Sequence, residues 1–213
     1  TGFMIRRMKK DVLHDLPAKR HKLVVLPLSG LEVRNIVKEE KGFDVEEIIR
    51  HGNPVGSPLA KLRREMGIAK LPFIIGYLKD LMEEVEKVVV FCWHVEVVEG
   101  IKAAFPNAVS ITGSTTLKAR QEAADAFQLG EAPMIIGNIQ AMGVGWTFTA
   151  ASNVVMAEHS YVPGDNIQAA DRCHRIGQRG SVTIHDLVIE GSLDGKVLLA
   201  AARKVDEIED ILS

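Results

Sequence analysis

The chain has 213 residues, 46% of them hydrophobic, 25% charged and 5% aromatic, the composition of an ordinary globular domain with its own core. Its 26 lysines and arginines against 28 aspartates and glutamates give a formal charge of −2, so the overall balance points to neither nucleic acid nor an acidic membrane surface. Two cysteines, Cys92 and Cys173, exclude a disulfide framework and fit a reducing compartment, and no apolar run has the length of a membrane span. The sequence opens Thr1-Gly2-Phe3 with neither an initiator Met nor a signal peptide, and is expected to be an excerpt of a longer polypeptide.

The charge is unevenly spread. Residues 1–22 carry seven basic and two acidic side chains, a local +5, which leaves 19 basic and 26 acidic groups, or −7, on the remaining 191 residues. Such an arm is either a solvated linker or a contact segment. From residue 23 onward, Val- and Ile-rich runs flanked by turn residues predict buried strands at Leu23–Leu28, Val88–Cys92, Ala108–Thr112, Met134–Gly137, Asn153–Ala157 and Val182–Val188. Helical spacing predicts helices at Leu31–Lys41, Pro72–Val85, Val95–Phe105, Leu117–Leu129 and Pro163–His174, with an amphipathic tail from Leu193 to Leu212. The Gly- and Pro-dense stretch from His51 to Pro58 marks a loop. Alternation at this pitch predicts an α/β fold, a parallel sheet with helices on both faces, whose functional loops lie at the carboxyl ends of the strands.

A complete nucleotide site is absent from the sequence. No G-x-x-x-x-G-K-[ST] loop occurs, Gly143-Val-Gly145-Trp-Thr-Phe148 lacks the third glycine of a dinucleotide fingerprint, and no acidic pair with an Mg²⁺ role follows a strand. The seven histidines have no metal-ligand spacing, and no G-x-S-x-G nucleophile elbow is present. The strongest local signal is Gln168-Ala-Ala-Asp-Arg172-Cys-His-Arg175-Ile-Gly-Gln178. On a helix, Arg172 and Arg175 would share one face, roughly 60° and about 4.5 Å apart along the axis. Two guanidiniums that close need an anion between them, and a phosphate chain suits their planar forks; the alternative is a surface pair of one arginine with Asp171 or Asp186.

This string resembles the last helicase motif of the Swi/Snf-type DNA translocases of helicase superfamily two. Four further blocks, in the family's order, extend the resemblance over nearly the whole chain. They are Phe3-Met-Ile-Arg6-Arg7 with Leu16-Pro17-Ala-Lys19; Lys87-Val-Val-Val-Phe91; Thr112-Gly-Ser-Thr115 followed by Arg120 and Phe127; and Met134–Ala151 followed by Asn153-Val-Val-Met-Ala-Glu158 and Pro163. Thr147-Phe148, Ala157-Glu158, Gly67-Ile-Ala-Lys70 and Ile184-His185 resemble the annealing-helicase branch. Thr147 replaces the usual Asn, and Asn138-Ile139 the usual Ser-Thr pair, which puts a nucleosome substrate in doubt.

The resemblance implies a RecA-like second lobe at residues 23–190, a basic junction from the first lobe at 1–22 and a packed C-terminal helix at 191–213. It implies ATP and Mg²⁺ held mainly by an absent first lobe, with Arg175 as arginine finger, Arg172 as companion, and Gln168, Gly143, Gly145 and Thr147 lining the cleft. It implies sequence-independent contact with double-stranded or branched DNA through Gly113, Ser114, Thr115, Asn138, Gln140, Trp93 and His94, no membrane partner, and a cytoplasmic or, in a eukaryote, nuclear location. Two of these positions keep a structural alternative. Thr115 or Thr116 can simply cap the following helix, and Trp93 can simply be core. The alternative for the whole is a non-catalytic interaction module derived from a helicase lobe.

Overall fold

The structure, a computed structural model, describes residues 16–27, 29–51, 57–143 and 145–212. The Phe3–Arg7 block and the rest of the arm through Asp15, Leu28, most of the loop expected between His51 and Pro58, and Val144 lie outside the described residues.

Six strands form one wholly parallel sheet: β1 (Lys19–Leu26), β2 (Val88–Cys92), β3 (Val109–Ile111), β4 (Met134–Asn138), β5 (Asn153–Met156) and β6 (Val182–Ile189), in the spatial order β1-β6-β5-β2-β4-β3. The helices are α1 (Leu31–Glu40), α2 (Val45–His51), α3 (Pro58–Glu84), α4 (Val95–Ala104), α5 (Leu117–Gln128), α6 (Ile139–Met142), α7 (Pro163–Ala170) and α8 (Leu193–Leu212). Every residue of β2 and β4 is buried, as apolar runs covered on both faces require. One core layer packs α1, α3 and α4 on residues such as Val88, Val90 and Ile136; the other packs α5, α6 and α7 on Val89, Ile135 and Ile184. A small third cluster of Ile48, Leu59, Tyr161, Leu193 and Val197 seats the start of α8.

Three local differences from the expected elements, and one expected cap, have physical reasons. β1 starts at Lys19 rather than Leu23, because its polar first half, Lys-Arg-His-Lys, is an exposed edge of the kind charged residues protect. α3 starts at Pro58, capped by Ser57, whose hydroxyl accepts from Ala60 N at 3.1 Å, and runs through Pro72. Pro72 is exposed, so the carbonyl it frees meets solvent. α5 is capped by Thr116, whose hydroxyl accepts from Ala119 N at 3.3 Å. Finally, α7 ends at Ala170 rather than His174.

Candidate functional site

Beyond Ala170 the backbone tightens into turns. Arg172 N and Cys173 N donate to Ala169 O and Ala170 O, and Gly177 adopts φ +101°, a conformation open to glycine at little cost. The single helical face expected for Arg172 and Arg175 is therefore not formed. The turns nevertheless bring both arginines to one concavity of about 560 Å³, lined also by Leu16, Thr147, Gln168, Asp171, His174 and Ile176. Several contacts fix this loop. Phe148 N donates to Arg172 O at 2.9 Å, His174 Nε2 donates to Pro17 O at 2.7 Å, and Lys19 Nζ lies 3.3 Å from Asp171.

The location differs from expectation. α7 runs back from the carboxyl end of β5, so the arginines beyond its end sit beside Thr147 and near Lys19, the partner of Asp171, toward the amino ends of the strands. A helix joining parallel strands must return antiparallel to them, and the arginines lie at the far side of that return.

Arg172 is 7% exposed and its buried Nε has no hydrogen-bond partner. Burial, and then the neighbouring Arg175 charge, depress its pKa. The neighbouring Asp171 charge works the other way but does not cancel these; a buried guanidinium beside a like charge gains from a further anion, and planar forks suit phosphate oxygens. Arg175 is more exposed and donates weakly to Thr147 Oγ1 at 3.4 Å. The Asp186 alternative is closed, because that carboxylate accepts from His21 Nδ1 at 2.8 Å and His159 Nε2 at 2.9 Å. Of the residues expected to line the ATP cleft, Thr147 and Gln168 share the concavity with the arginines. Gly143 and Gly145 shape the approach to Thr147: Gly143 closes α6 by donating to Ile139 O at 2.7 Å, and Gly145 has φ +84°.

A second concavity, of about 350 Å³, opens at the carboxyl ends of β2, β3 and β4, where Trp93, Gly113, Asn138 and Gln140 meet Val95, Arg120 and Ala141. Four of the seven residues expected to face DNA line it. His94, Ser114 and Thr115 turn to structural partners instead. His94 N and Nδ1 bond Glu158 at 2.9 and 2.7 Å, Ser114 Oγ meets Thr112 Oγ1 at 3.0 Å, and Thr115 Oγ1 accepts from Thr112 N at 2.9 Å. Gly113 and Ser114 remain exposed, although the Gly113 carbonyl is taken by Arg120. Asn138 is 8% exposed and donates Nδ2–H to Trp93 O at 2.9 Å, so one of its two N–H groups is committed to positioning the Trp93 loop. Gln140 is exposed.

Two residues outside the expected set hold this concavity. Arg120 donates to the carbonyls of Thr112, Gly113 and Thr115 at 2.8–3.0 Å. Glu158, buried, accepts from both Trp93 N and His94 N at 2.9 Å. Each belongs to a motif block, but its role depends on chain segments brought together only by folding. Among the described residues, no three His, Cys, Asp or Glu side chains gather as a metal-ligand group, and no helix is long and apolar enough to cross a membrane.

Known proteins share these features. The family model described as "Helicase conserved C-terminal domain" matches residues 69–177. The "SWI/SNF-related matrix-associated actin-dependent regulator of chromatin subfamily A-like protein 1" of Xenopus tropicalis is 36% identical over 207 residues, covering 91% of this chain and 21% of that protein. The human "DNA annealing helicase and endonuclease ZRANB3" is 35% identical over 205 residues, covering 91% and 19%. The chain thus spans about a fifth of the length of these relatives. Two solved structures share the fold. They are the C-terminal part of the Fun30 ATPase domain, with TM-score 0.66, 20% identity and coverage of 87% of this chain and 90% of that one, and the Sulfolobus solfataricus SWI2/SNF2 ATPase core in complex with dsDNA, with TM-score 0.67, 22% identity and coverage of 97% and 49%. The chain belongs to the helicase conserved C-terminal domain family, as a RecA-like lobe of its SWI/SNF-related branch.

Proposed function

We propose that this chain is the second motor lobe of an ATP-dependent double-stranded DNA translocase. The observation that carries this reading is Arg172, a buried guanidinium whose Nε has no partner, set beside Arg175 at an open concavity. In this role Arg175 acts as the arginine finger and Arg172 as its companion, both facing the phosphates of ATP bound with Mg²⁺ on a first lobe that precedes residues 1–22. Gln168 and Thr147 border the same cleft. Hydrolysis of the bound nucleotide supplies the free energy. The residues of this chain orient the phosphates, offset their charge and exclude water, a contribution worth about 10³–10⁵ in rate for a finger arginine.

The second concavity supports contact with one DNA strand. Gly113 offers its backbone N–H, Gln140 and the remaining Asn138 N–H offer uncharged donors, and Trp93 offers an indole surface. Donors of this kind meet sugar and phosphate and carry no base code. The wide separation between the two concavities, at opposite ends of the strands, supports a lobe that holds nucleotide on one side and DNA on the other. The names of the annealing-helicase relatives and of the dsDNA complex agree with that substrate.

The chain alone is expected to hydrolyse no ATP, with or without DNA. In a polypeptide that also contains the first lobe, Arg175→Ala is expected to abolish DNA-stimulated hydrolysis while leaving DNA affinity within about twofold. Turnover by the chain alone, or near-normal turnover by the variant, sinks the finger assignment.

A further inference from the structure

The helix α3 carries a buried charge that the helicase match, which begins at residue 69, does not include. Arg63 is 3% exposed. Its guanidinium carbon lies 4.3 Å from the ring centroid of Trp93 and 4.0 Å from that of Tyr161, so the planar group is held between two aromatic rings. Its Nη2 donates to the backbone carbonyl of His159. The far ring is itself tied down, because Tyr161 OH donates to Asp194 Oδ1 at 3.0 Å and Asp194 Oδ2 lies 3.3 Å from Lys70 Nζ.

Burying a guanidinium costs several kcal/mol unless it is well partnered, and a Leu or Met would fill the same volume at no such cost. What the arginine adds is geometry. A flat cation fixes the spacing and tilt of two rings, and its fork locks the group to the backbone. Trp93 is then held on three sides. Glu158 takes its N–H, Asn138 donates to its carbonyl, and Arg63 meets its indole. Trp93 lines the carboxyl-end concavity and is only partly buried, so the ring whose pose is fixed is one that a ligand can touch.

We infer that Arg63 is a positioning residue for DNA engagement: it fixes the Trp93 indole at the mouth of the concavity so that the ring meets the strand in one pose. The inference rests on the DNA reading proposed above. Arg63 itself touches no DNA, being covered by the two rings. It acts by removing rotamer freedom from an aromatic contact before binding, a freedom that is otherwise lost on association.

The test uses the whole 213-residue chain with Trp146→Phe, which leaves Trp93 as its sole indole. Three quantities are read: Trp93 emission and acrylamide quenching, affinity for a random-sequence duplex, and the slope of log affinity against log salt. Arg63→Gln is expected to red-shift the emission, roughly double the quenching constant and weaken duplex binding about five- to tenfold, with the salt slope unchanged; the cost of ordering one freed aromatic side chain on association has this size. A slope reduced by about 0.9 means that Arg63 contacts a phosphate directly, which overturns the positioning role. Unchanged emission, or a shifted emission with unchanged affinity, overturns it as well. If circular dichroism shows Arg63→Gln unfolded, Arg63→Lys replaces it. Lysine keeps the charge but has no plane to lie between the rings, so intermediate emission and affinity are expected, and wild-type values for both defeat the inference. Failure of the Trp146→Phe chain itself to bind duplex defeats the DNA reading and the inference with it, and is separable because the variant comparison is then never reached.

Discussion

Lys19, the first residue of β1, lies 3.3 Å from Asp171, the residue that caps α7 and precedes Arg172. The two sit 152 positions apart in sequence and join the segment entering the sheet to the loop that carries the arginines. Both side chains are partly exposed, so the pair contributes at most about 1 kcal/mol to stability. Its larger effect is on placement. Lys19→Ala is expected to leave the melting temperature within a few degrees while lowering ATP turnover of the two-lobed polypeptide several-fold, since small misplacements of a catalytic group are costly. Steady-state hydrolysis beside a thermal melt checks this; equal turnover would show that the loop holds its shape without the Lys19 contact.

Gly67 and Gly76 both lie inside α3, yet opposite outcomes are expected on replacing each by alanine. A Cβ on Gly67 would overlap Glu158 Oε1 and approach Val97 Cγ2 to 3.2 Å. The Glu158 carboxylate has little room to move, because Trp93 N, His94 N and His94 Nδ1 all bond to it. The overlap, of the kind that costs about 1–3 kcal/mol, exceeds the helix-propensity gain of about 1 kcal/mol. Gly67→Ala is therefore expected to lower the melting temperature by several degrees. Gly76 has nothing within 4 Å of its Cβ position, so Gly76→Ala is expected to raise it slightly. Calorimetry of the two variants decides, and a stabilised Gly67→Ala would mean that α3 can back away from Glu158.

Most of the sheet is legible in the sequence, because its four inner strands, β2, β4, β5 and β6, are largely buried and built around Val and Ile. β1 is only half legible. Its first four residues, Lys19 to Lys22, pair in register with Val182 to His185, but a charged edge strand leaves no apolar signal. Pro72 misleads in the other direction: it reads as a helix start, yet lies exposed in the middle of α3. The arginine pair is legible from its motif, whereas its position at the amino ends of the strands depends on where α7 stops. Arg63 is hidden for a different reason. Nothing in its local sequence distinguishes it from the exposed Arg64 beside it, and its partners Trp93 and Tyr161 arrive from two other strand ends.

Asp186 ties β6 to the loop after β5. Burial alone would raise its pKa, but hydrogen bonds from His159 and His21 outweigh that and hold it at about 2. A carboxylate held below its ordinary value of 3.8 stabilises the fold above that pH and loses the contribution as pH falls toward 2. Asp186→Asn is expected to cost about 2–3 kcal/mol at pH 7, where it removes the charged acceptor from two hydrogen bonds. The gap between wild type and variant should narrow as the pH is lowered from 5 to 2. Urea melts across that range test both statements, and a gap that stays constant would show that the histidines do not read the carboxylate's charge.

Glu40 carries the opposite sign. It is 3% exposed on α1 and accepts from Leu193 N at 2.8 Å, at the first turn of α8. Burial raises its pKa to about 7; the Leu193 N–H and Lys70 work against that rise, and the nearby Asp194 charge adds to it. The unfolded chain ionises this group near its ordinary 4.5, whereas the folded protein keeps it neutral until about 7. Its contribution to stability is therefore complete below pH 4.5 and is lost as pH rises through 7, a change on the order of 3 kcal/mol at most. Glu40→Gln retains an acceptor for Leu193 N–H and cannot ionise. The variant is expected to melt close to wild type at pH 5 and several degrees above it at pH 8. The docking of α8 should follow the same course, since Glu40 meets the helix at its root; amide exchange at Leu193 and Asp194 should speed up between pH 5 and 8 in wild type, after correction for intrinsic rates, and hold steady in the variant. A variant that melts below wild type at pH 8 would mean that Glu40 is needed there as an anion, with Lys70 as its counter-charge.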